Sequence, residues 1–382
     1  MIPVMRPWLG EEEAEAAAEA VASGWIAQGP RVREFEAAFA AAIGAPHAVA
    51  VSSCTTALHL AMIVARIGPG DEVVVPSLSF IATANAVRYV GAQPVFADVD
   101  LTTQNLTPQT VEPHLTDRTR AVILVDQAGI PADLDAMRTL CDPLHVTVIE
   151  DAACAAGSRY RDRPVGAGAA LAAFSFHPRK LLTTGEGGML VTRDGATAAR
   201  LRRLREHGMD ISAADRHLSQ QPVIEHYTEV GFNFRMTDIQ AAVGQVQLRK
   251  LPEMVARRRA LARRYQELLS GTPDLLTSDD PPHGETNYQS FWILLPEKAA
   301  VGRDELMRLL ADAGISARRG IMAAHLEPAY ADARVPLPVT ERLTRHSLIL
   351  PLFHDMTEAQ QEHVASVVTS ALMNSRPEIP VP

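Results

Sequence analysis

Of the 36 lysine and arginine residues in this 382-residue chain only three are lysines, at positions 180, 250 and 298, so chemistry that needs an amine has three candidates. Lys250 follows Arg249 at what reads as the end of a helix, where a cation meets the negative end of the macrodipole, and Lys298 sits in the turn-like PEKAA. Lys180 has a different setting. It stands four residues beyond the β-rich run LAAFSF and just before the glycine-rich TTGEGG, in a segment poor in charge. An amine in an apolar, glycine-bordered pocket at a strand end is the kind whose pKa falls, making it nucleophilic toward carbonyls. A phosphate-binding or merely exposed lysine fits the same spacing. Asp151 closes the run VTVIED and is followed by the small residues AACAAG, so its carboxylate can point into a cleft; taken alone, a helix N-cap is the simpler reading. Read together, a strand-end Asp followed by a strand-end Lys suits pyridoxal phosphate. That chemistry needs a Schiff-base lysine and an acidic partner for the pyridine nitrogen.

A phosphate cradle should accompany them. In AVSSCTTALHLAM a β-run turns through small residues directly into a helix, so the N–H groups and hydroxyls of Thr55 and Thr56 face an anion at the helix N-terminus; a plain capping turn has the same pattern. Ser175, on the Lys180 segment, is a second candidate phosphate ligand, and Phe80, after EVVVPS, offers a face for a ring to stack on. Other motifs carry less. VGAGAAL has G-x-G spacing but no third glycine and precedes a strand, which argues against a dinucleotide site. Asn105-Leu106-Thr107 is a formal glycosylation sequon, and Cys54 has only His59 nearby in sequence, a helix-packing residue by its position.

The elements that must position these groups follow from periodicity. Glu11 to Ala22 and Val32 to Ile43 read as helices, punctuated by Gly24 and Gly29-Pro30. From there to about residue 200, β-rich runs (AVAVSS, EVVVPS, PVFADV, AVILVD, TVIEDA, LAAFSF) alternate with helical segments, the signature of an α/β domain on a mostly parallel sheet. Ligand groups in such sheets gather beyond the carboxyl ends of the strands. Thr237 with Gln240 reads as a capping box opening DIQAAVGQVQLRKL, and Pro252 as the start of another long helix through Leu269. We therefore expect a large α/β domain over residues 1–250 and a smaller C-terminal α+β domain over 251–382. The smaller one has a strand at FWILL, a helix at DELMRLLADAG, a last helix capped by Thr357 and Gln360, and a loose tail at SRPEIPVP. Composition agrees with a soluble globular chain: 47% hydrophobic, 21% charged, net charge −9, and no run long enough to span a membrane. With no basic block and no signal-peptide pattern, the expectation is a cytoplasmic protein that does not bind nucleic acid. Three cysteines (Cys54, Cys141, Cys154) form no CxxC pair, and no zinc-like spacing is visible.

SSCTTALHLA, PSLSFIATANAV, GAQPVFADVD, PADLDAM, IEDAACAAGS, FSFHPRKLLTTGEGGM, GFNFRMTDIQAAVGQVQL and HLEPAY occur in this order. In them the sequence resembles the fold type I pyridoxal-phosphate enzymes, and among these the DegT/StrS sugar aminotransferases, over nearly the whole chain. The resemblance implies that Lys180 is the Schiff-base lysine, Asp151 the pyridinium partner and Phe80 the stacking aromatic. Thr55, Thr56 and Ser175 would hold the phosphate together with Asn233 from the second subunit of a homodimer with shared active sites. His177 and His325 match positions near the substrate. Two positions depart from the pattern: Cys154 stands beside the cofactor ring where the group usually carries His or Gln, and Asp126 stands where relatives often have His.

The implied activity is amino transfer from an amino acid, glutamate by analogy, to a keto sugar, most often nucleotide-linked, in polysaccharide or natural-product assembly. An acceptor of the keto-cyclitol class preserves the same chemistry. Lys180 argues against the related deoxygenating branch, which carries a histidine at that position. A cofactor-binding regulator is the reading from another class, and the absence of a helix-turn-helix extension or basic patch speaks against it.

Overall fold

The computed structural model describes residues 1–373, so the expected SRPEIPVP tail lies outside the described residues. Nine strands occupy the first half: β1 (His47–Val51), β2 (Glu72–Pro76), β3 (Gln93–Ala97), β4 (Thr119–Val125), β5 (Thr147–Asp151), β6 (Arg159–Tyr160), β7 (Arg163–Pro164), β8 (Leu171–Ser175) and β9 (Gly188–Thr192). Seven of them form one sheet in the order β1-β9-β8-β5-β4-β2-β3. The pairs β2/β3, β2/β4, β4/β5 and β5/β8 are parallel, whereas β9 runs antiparallel to both β8 and β1. The central strands are apolar at successive positions because both faces are covered. Val74, Val122, Leu124, Val148 and Phe174 point into one core, while Val73, Val75, Ile123, Ile149 and Ala173 point into the other. Residues of helices Pro30–Ile43 and Asp238–Leu269 fill the first core; those of Cys54–Val64, Ala82–Tyr89 and Gly195–Leu204 fill the second.

The six β-runs read from the sequence are all strands of this sheet. Strand β9 was hidden behind the glycines of TTGEGGM, and those glycines are what bring it in. A Cβ on Gly188 would lie 2.4 Å from the Ser53 carbonyl carbon and 2.6 Å from the Cys54 nitrogen, so only glycine lets β9 pass the turn after β1. At the far side of β1, which ends the sheet, side chains take the place of a neighbouring strand. The Ala50 N–H donates to Glu36 Oε1 (2.9 Å), Arg202 donates to the Ala48 carbonyl (2.9 Å) and Arg205 to the Ala50 carbonyl (2.6 Å). Arg205 and Glu36, both buried, also pair with each other.

The capping box of Thr237 and Gln240 is present, but the helix it opens does not stop at Leu251. It runs unbroken as Asp238–Leu269, with Pro252 inside it. The expected division at 250/251 therefore falls within a continuous helix. A proline inside a helix removes one N–H donor. Here packing overrides that local signal: Leu251, Met254, Arg258 and Leu261 are buried on one side of the helix. Lys250 is correspondingly not a helix-end cation; it lies mid-helix, 2.9 Å from Glu13 and over the Trp8 ring. Beyond this helix come β10 (Leu276–Thr277), β11 (Gly284–Glu285), β12 (Phe291–Leu294), β13 (Arg318–Arg319) and β14 (Ser347–Leu350). Four of these make an antiparallel sheet, β10-β12-β14-β13, while β11 pairs with β6. Helices Arg303–Asp312 and Glu358–Met373 cover a third core that includes Phe291, Ile293, Leu348 and Val364. No described helix is long and apolar enough to cross a membrane.

Candidate active site

At the carboxyl ends of β1, β2, β5 and β8 the chain leaves the sheet through turns that carry most of the residues singled out from sequence. After β1, Ser53 caps helix Cys54–Val64: its Oγ accepts the Thr56 N–H at 3.1 Å, and the Thr56 hydroxyl donates back to the Ser53 carbonyl at 2.8 Å. The capping turn is thus real, and it occupies Thr56. Thr55 is different; among the described residues neither its N–H nor its hydroxyl has a protein partner. The Ser175 hydroxyl, at the end of β8, donates to no described group, and the ring of Phe80 after β2 is 69% exposed. The unpaired N–H and hydroxyl of Thr55 in the first turn, a Ser175 hydroxyl that accepts only the His177 N–H (3.5 Å) and a bare aromatic face fit a phosphorylated, planar cofactor.

Asp151 ends β5 and is 4% exposed. Its Oδ2 accepts from Thr83 Oγ1 at 2.8 Å, and Thr83 is bonded in turn to Ser79 at 2.8 Å; Oδ1 accepts the Ala153 N–H at 3.2 Å. Burial raises the Asp151 pKa, against the lowering influence of Thr83, Ala153 and Lys180. It is therefore a buried carboxylate that gains from a nearby positive charge. Lys180 lies in the turn after β8, with Nζ 3.0 Å from Cys154 Sγ. The sequence reading expected the pKa of this amine to fall. Burial does pull it down, but Cys154, Cys54 and Asp151 favour the ammonium and the net direction is up. The burial of the amine agrees with that reading, but sequence could not show that sulfur and carboxylate converge on it.

Asp126 follows β4 and is buried, with Oδ1 accepting the Ala132 N–H at 2.8 Å and Oδ2 without a partner among the described residues. Burial, with Glu150 and Asp151 close by, pushes it well above the carboxylate range. Asn287 is a residue that sequence reasoning missed. Fully buried, it donates from Nδ2 to the carbonyls of Cys154 and Ala156, both at 2.8 Å, and so fixes the backbone that carries the thiol. Gly129 makes room for it: a Cβ there would stand 1.9 Å from Asn287 Oδ1. These contacts join residues more than a hundred positions apart, and no local pattern announces them.

His177 is half exposed, its Nδ1 accepting the Arg179 N–H at 3.2 Å and its Nε2 4.0 Å from Glu186; burial lowers its pKa. His325, by contrast, is 1% exposed, with Nδ1 2.5 Å from Ser77 Oγ and Nε2 3.8 Å from Glu341, so it meets the site only through the turn after β2. Asn233 is exposed, and its neighbour Phe234 accepts the Ser52 N–H at 2.8 Å. Next to Lys180 in the chain, Arg179 joins Arg258, Arg318, Gln289 and Ser290 around a cavity of about 40 Å3 whose lining includes no carboxylate. A larger cavity of about 610 Å3 lies elsewhere, beside the outer edge of β1 between Val32, Arg202 and Asp215.

The model of the DegT/DnrJ/EryC1/StrS aminotransferase family matches residues 7–369. The chain belongs to this family. The aminotransferase is similar to TlmJ from Streptoalloteichus hindustanus, an aminotransferase, with 39% identity over 97% of this chain and 99% of that one and a TM-score of 0.90. It is also similar to DesV of S. venezuelae, solved with a ketimine intermediate (38% identity, 95% of each chain, TM-score 0.87). A third is DesI, solved in the presence of its TDP-sugar product (34% identity, 97% of this chain and 92% of that one, TM-score 0.87). The chain is thus a pyridoxal-phosphate-dependent sugar aminotransferase of fold type I.

Proposed function

We propose that this aminotransferase moves an amino group from an amino acid to a keto sugar carried on a nucleotide, with Lys180 and Asp151 as its catalytic residues. The observation that carries the reading is the convergence of Lys180 and the buried, Thr83-bonded Asp151 beyond the strand ends. When bound, pyridoxal phosphate supplies an aldehyde for an amine and a ring that takes up the electrons released as the donor's α-proton leaves. Lys180 provides the amine that anchors the cofactor and, once free, the base that moves the proton. Asp151 holds positive charge at the ring nitrogen, and burial makes its attraction strong. Thr55, with Thr56 behind it in the cap, and Ser175 would hold the phosphate, Phe80 would stack on the ring with Cys154 near its edge, and His177 would flank the substrate side, whereas His325 would act only through Ser77.

For the donor, Arg179 and Arg318 at the small cavity favour an amine that bears a carboxylate, with Arg258 behind them committed to the carbonyls of Tyr288, Gln289 and Leu352, and glutamate is the first candidate. For the acceptor, the TDP-sugar product of the 34% identical DesI supports a nucleotide-linked keto sugar. The working unit in this proposal is a homodimer in which Asn233 serves the partner's phosphate site, and the large and small parts of the chain act as two domains joined by helix Asp238–Leu269. The deciding experiment converts the purified protein to its pyridoxamine form with glutamate and follows the return of the absorbance of the aldehyde form with a panel of keto sugars, nucleotide-linked or free, and keto-cyclitols. Turnover of nucleotide-linked keto sugars alone supports the reading; preference for a free keto-cyclitol replaces the acceptor, and no spectral change with glutamate removes the donor.

A further inference from the structure

Cys154 does more than fill the place of a ring-side residue. Its sulfur is 3.0 Å from Lys180 Nζ, a direct contact between a thiol and the amine on which the chemistry turns. The thiol is held from behind: Asn287 binds the Cys154 carbonyl at 2.8 Å, and Asn287 is fixed by Ser158 Oγ on its own N–H (3.0 Å) and by the space that Gly129 leaves. The groups that act on Lys180 are Cys154 and Asp151 after β5 and Cys54 at the head of helix Cys54–Val64, with His177 near it in its own turn. Cys54 and Asp151 make no hydrogen bond to the amine; Cys154 makes the only one among the described residues.

We propose that Cys154 is a positioning residue for Lys180. In the protein before cofactor binding, the sulfur holds the amine in a hydrogen-bonded pair that must open before Lys180 can attack an aldehyde. The proposal rests on Lys180 being the residue that captures the cofactor. A primary amine attacks a carbonyl only through its unprotonated lone pair. A partner that favours the ammonium therefore moves capture to higher pH, and Cys154 acts on Lys180 in that direction. Removing the sulfur leaves the amine in the same buried surroundings without its partner, where desolvation favours the neutral form.

The test uses cofactor-free protein and reads uptake, not turnover. Pyridoxal phosphate is added to wild type, Cys154→Ala and Cys154→Ser between pH 6 and 9, and the rate of appearance of the protein-bound chromophore is recorded. One charge-assisted hydrogen bond corresponds to about a tenfold effect, so Cys154→Ala should take up the aldehyde roughly tenfold faster at neutral pH, with its midpoint about one pH unit lower. Cys154→Ser, which keeps a hydrogen-bonding hydroxyl in place of the thiol, should fall between the two. An unchanged midpoint in both variants, or slower uptake in Cys154→Ala, overturns the proposal. Borohydride reduction and peptide mapping keep the two claims apart. A link found away from Lys180 defeats the reading of the site itself, whereas a link on Lys180 with an unmoved midpoint defeats only the role of Cys154.

Discussion

At the scale of single residues, the roles divide by what each side chain loses. Lys180→Ala is expected to abolish the borohydride-reducible link between protein and cofactor together with all transamination, because Lys250 is engaged by Glu13 and Lys298 sits in a remote turn. Persistence of that link in the variant would reject the assignment. Asp151→Asn should retain cofactor but slow the half-reaction with glutamate by roughly two to three orders of magnitude, since a neutral amide cannot stabilise a cation at the ring nitrogen. Single-turnover absorbance traces check this. Asp151 and Lys180 were legible in the sequence because strand ends and glycine runs are local signals. The bonds they make to Thr83 and Cys154, and the hold of Asn287 on the Cys154 carbonyl, were not, because a hydrogen bond between distant segments leaves no trace in spacing.

The elements show the same contrast. Strands β1, β2, β3, β4, β5 and β8 could be read because apolar runs of five to seven residues alternate with helical periods. The continuity of Asp238–Leu269 could not, since Pro252 is a helix-start signal unless tertiary packing overrides it. The first residue of that helix has a second task. Asp238 is fully buried and accepts the N–H groups of Gly29 (2.8 Å), Arg31 (3.1 Å) and Val32 (3.0 Å), so its carboxylate caps helix Pro30–Ile43 from outside the helix. Asp238→Ala should cost about 3 kcal/mol or more by leaving those donors unpaired, and Asp238→Asn less; chemical denaturation measures both. A loss under about 1 kcal/mol in the alanine variant would show that water replaces the cap.

For the whole molecule, two expectations concern assembly and pH. If Asn233 serves the partner's site, co-expressed Lys180→Ala and Asn233→Ala chains form a mixed dimer with one intact site, because Lys180 of one chain then meets Asn233 of the other. Activity above the average of the two parent homodimers is the expected result; activity no higher rejects the shared site. One contribution to stability should also fall as pH rises from about 4.5 through about 7. Burial pushes Glu150 up to about 7 and raises Asp126 beside it, so the folded state holds protons that the unfolded chain releases near pH 4.5. The contribution of these protonated carboxyls is fully present below that point and is lost as pH rises through about 7. Thermal unfolding of Glu150→Gln should therefore lose less between pH 5 and pH 8 than wild type, by up to about 3 kcal/mol. Equal losses would place the protons elsewhere.

The ladder of Glu36, Arg202 and Arg205 along β1 has a meaning for the crowded interior of a cell. An open sheet margin is a template on which a foreign strand can register, the first step toward fibrils. Here much of the margin is already spoken for by side chains, which engage the Ala48 carbonyl and both the N–H and the carbonyl of Ala50. Glu36→Leu frees the Ala50 N–H and strips Arg205 of its counter-charge, so warming that variant below its unfolding temperature should produce light scattering and thioflavin-positive aggregates that the native chain does not form. The carboxylate of Glu36, far from any chemistry, would then be what keeps the catalyst in solution long enough to work.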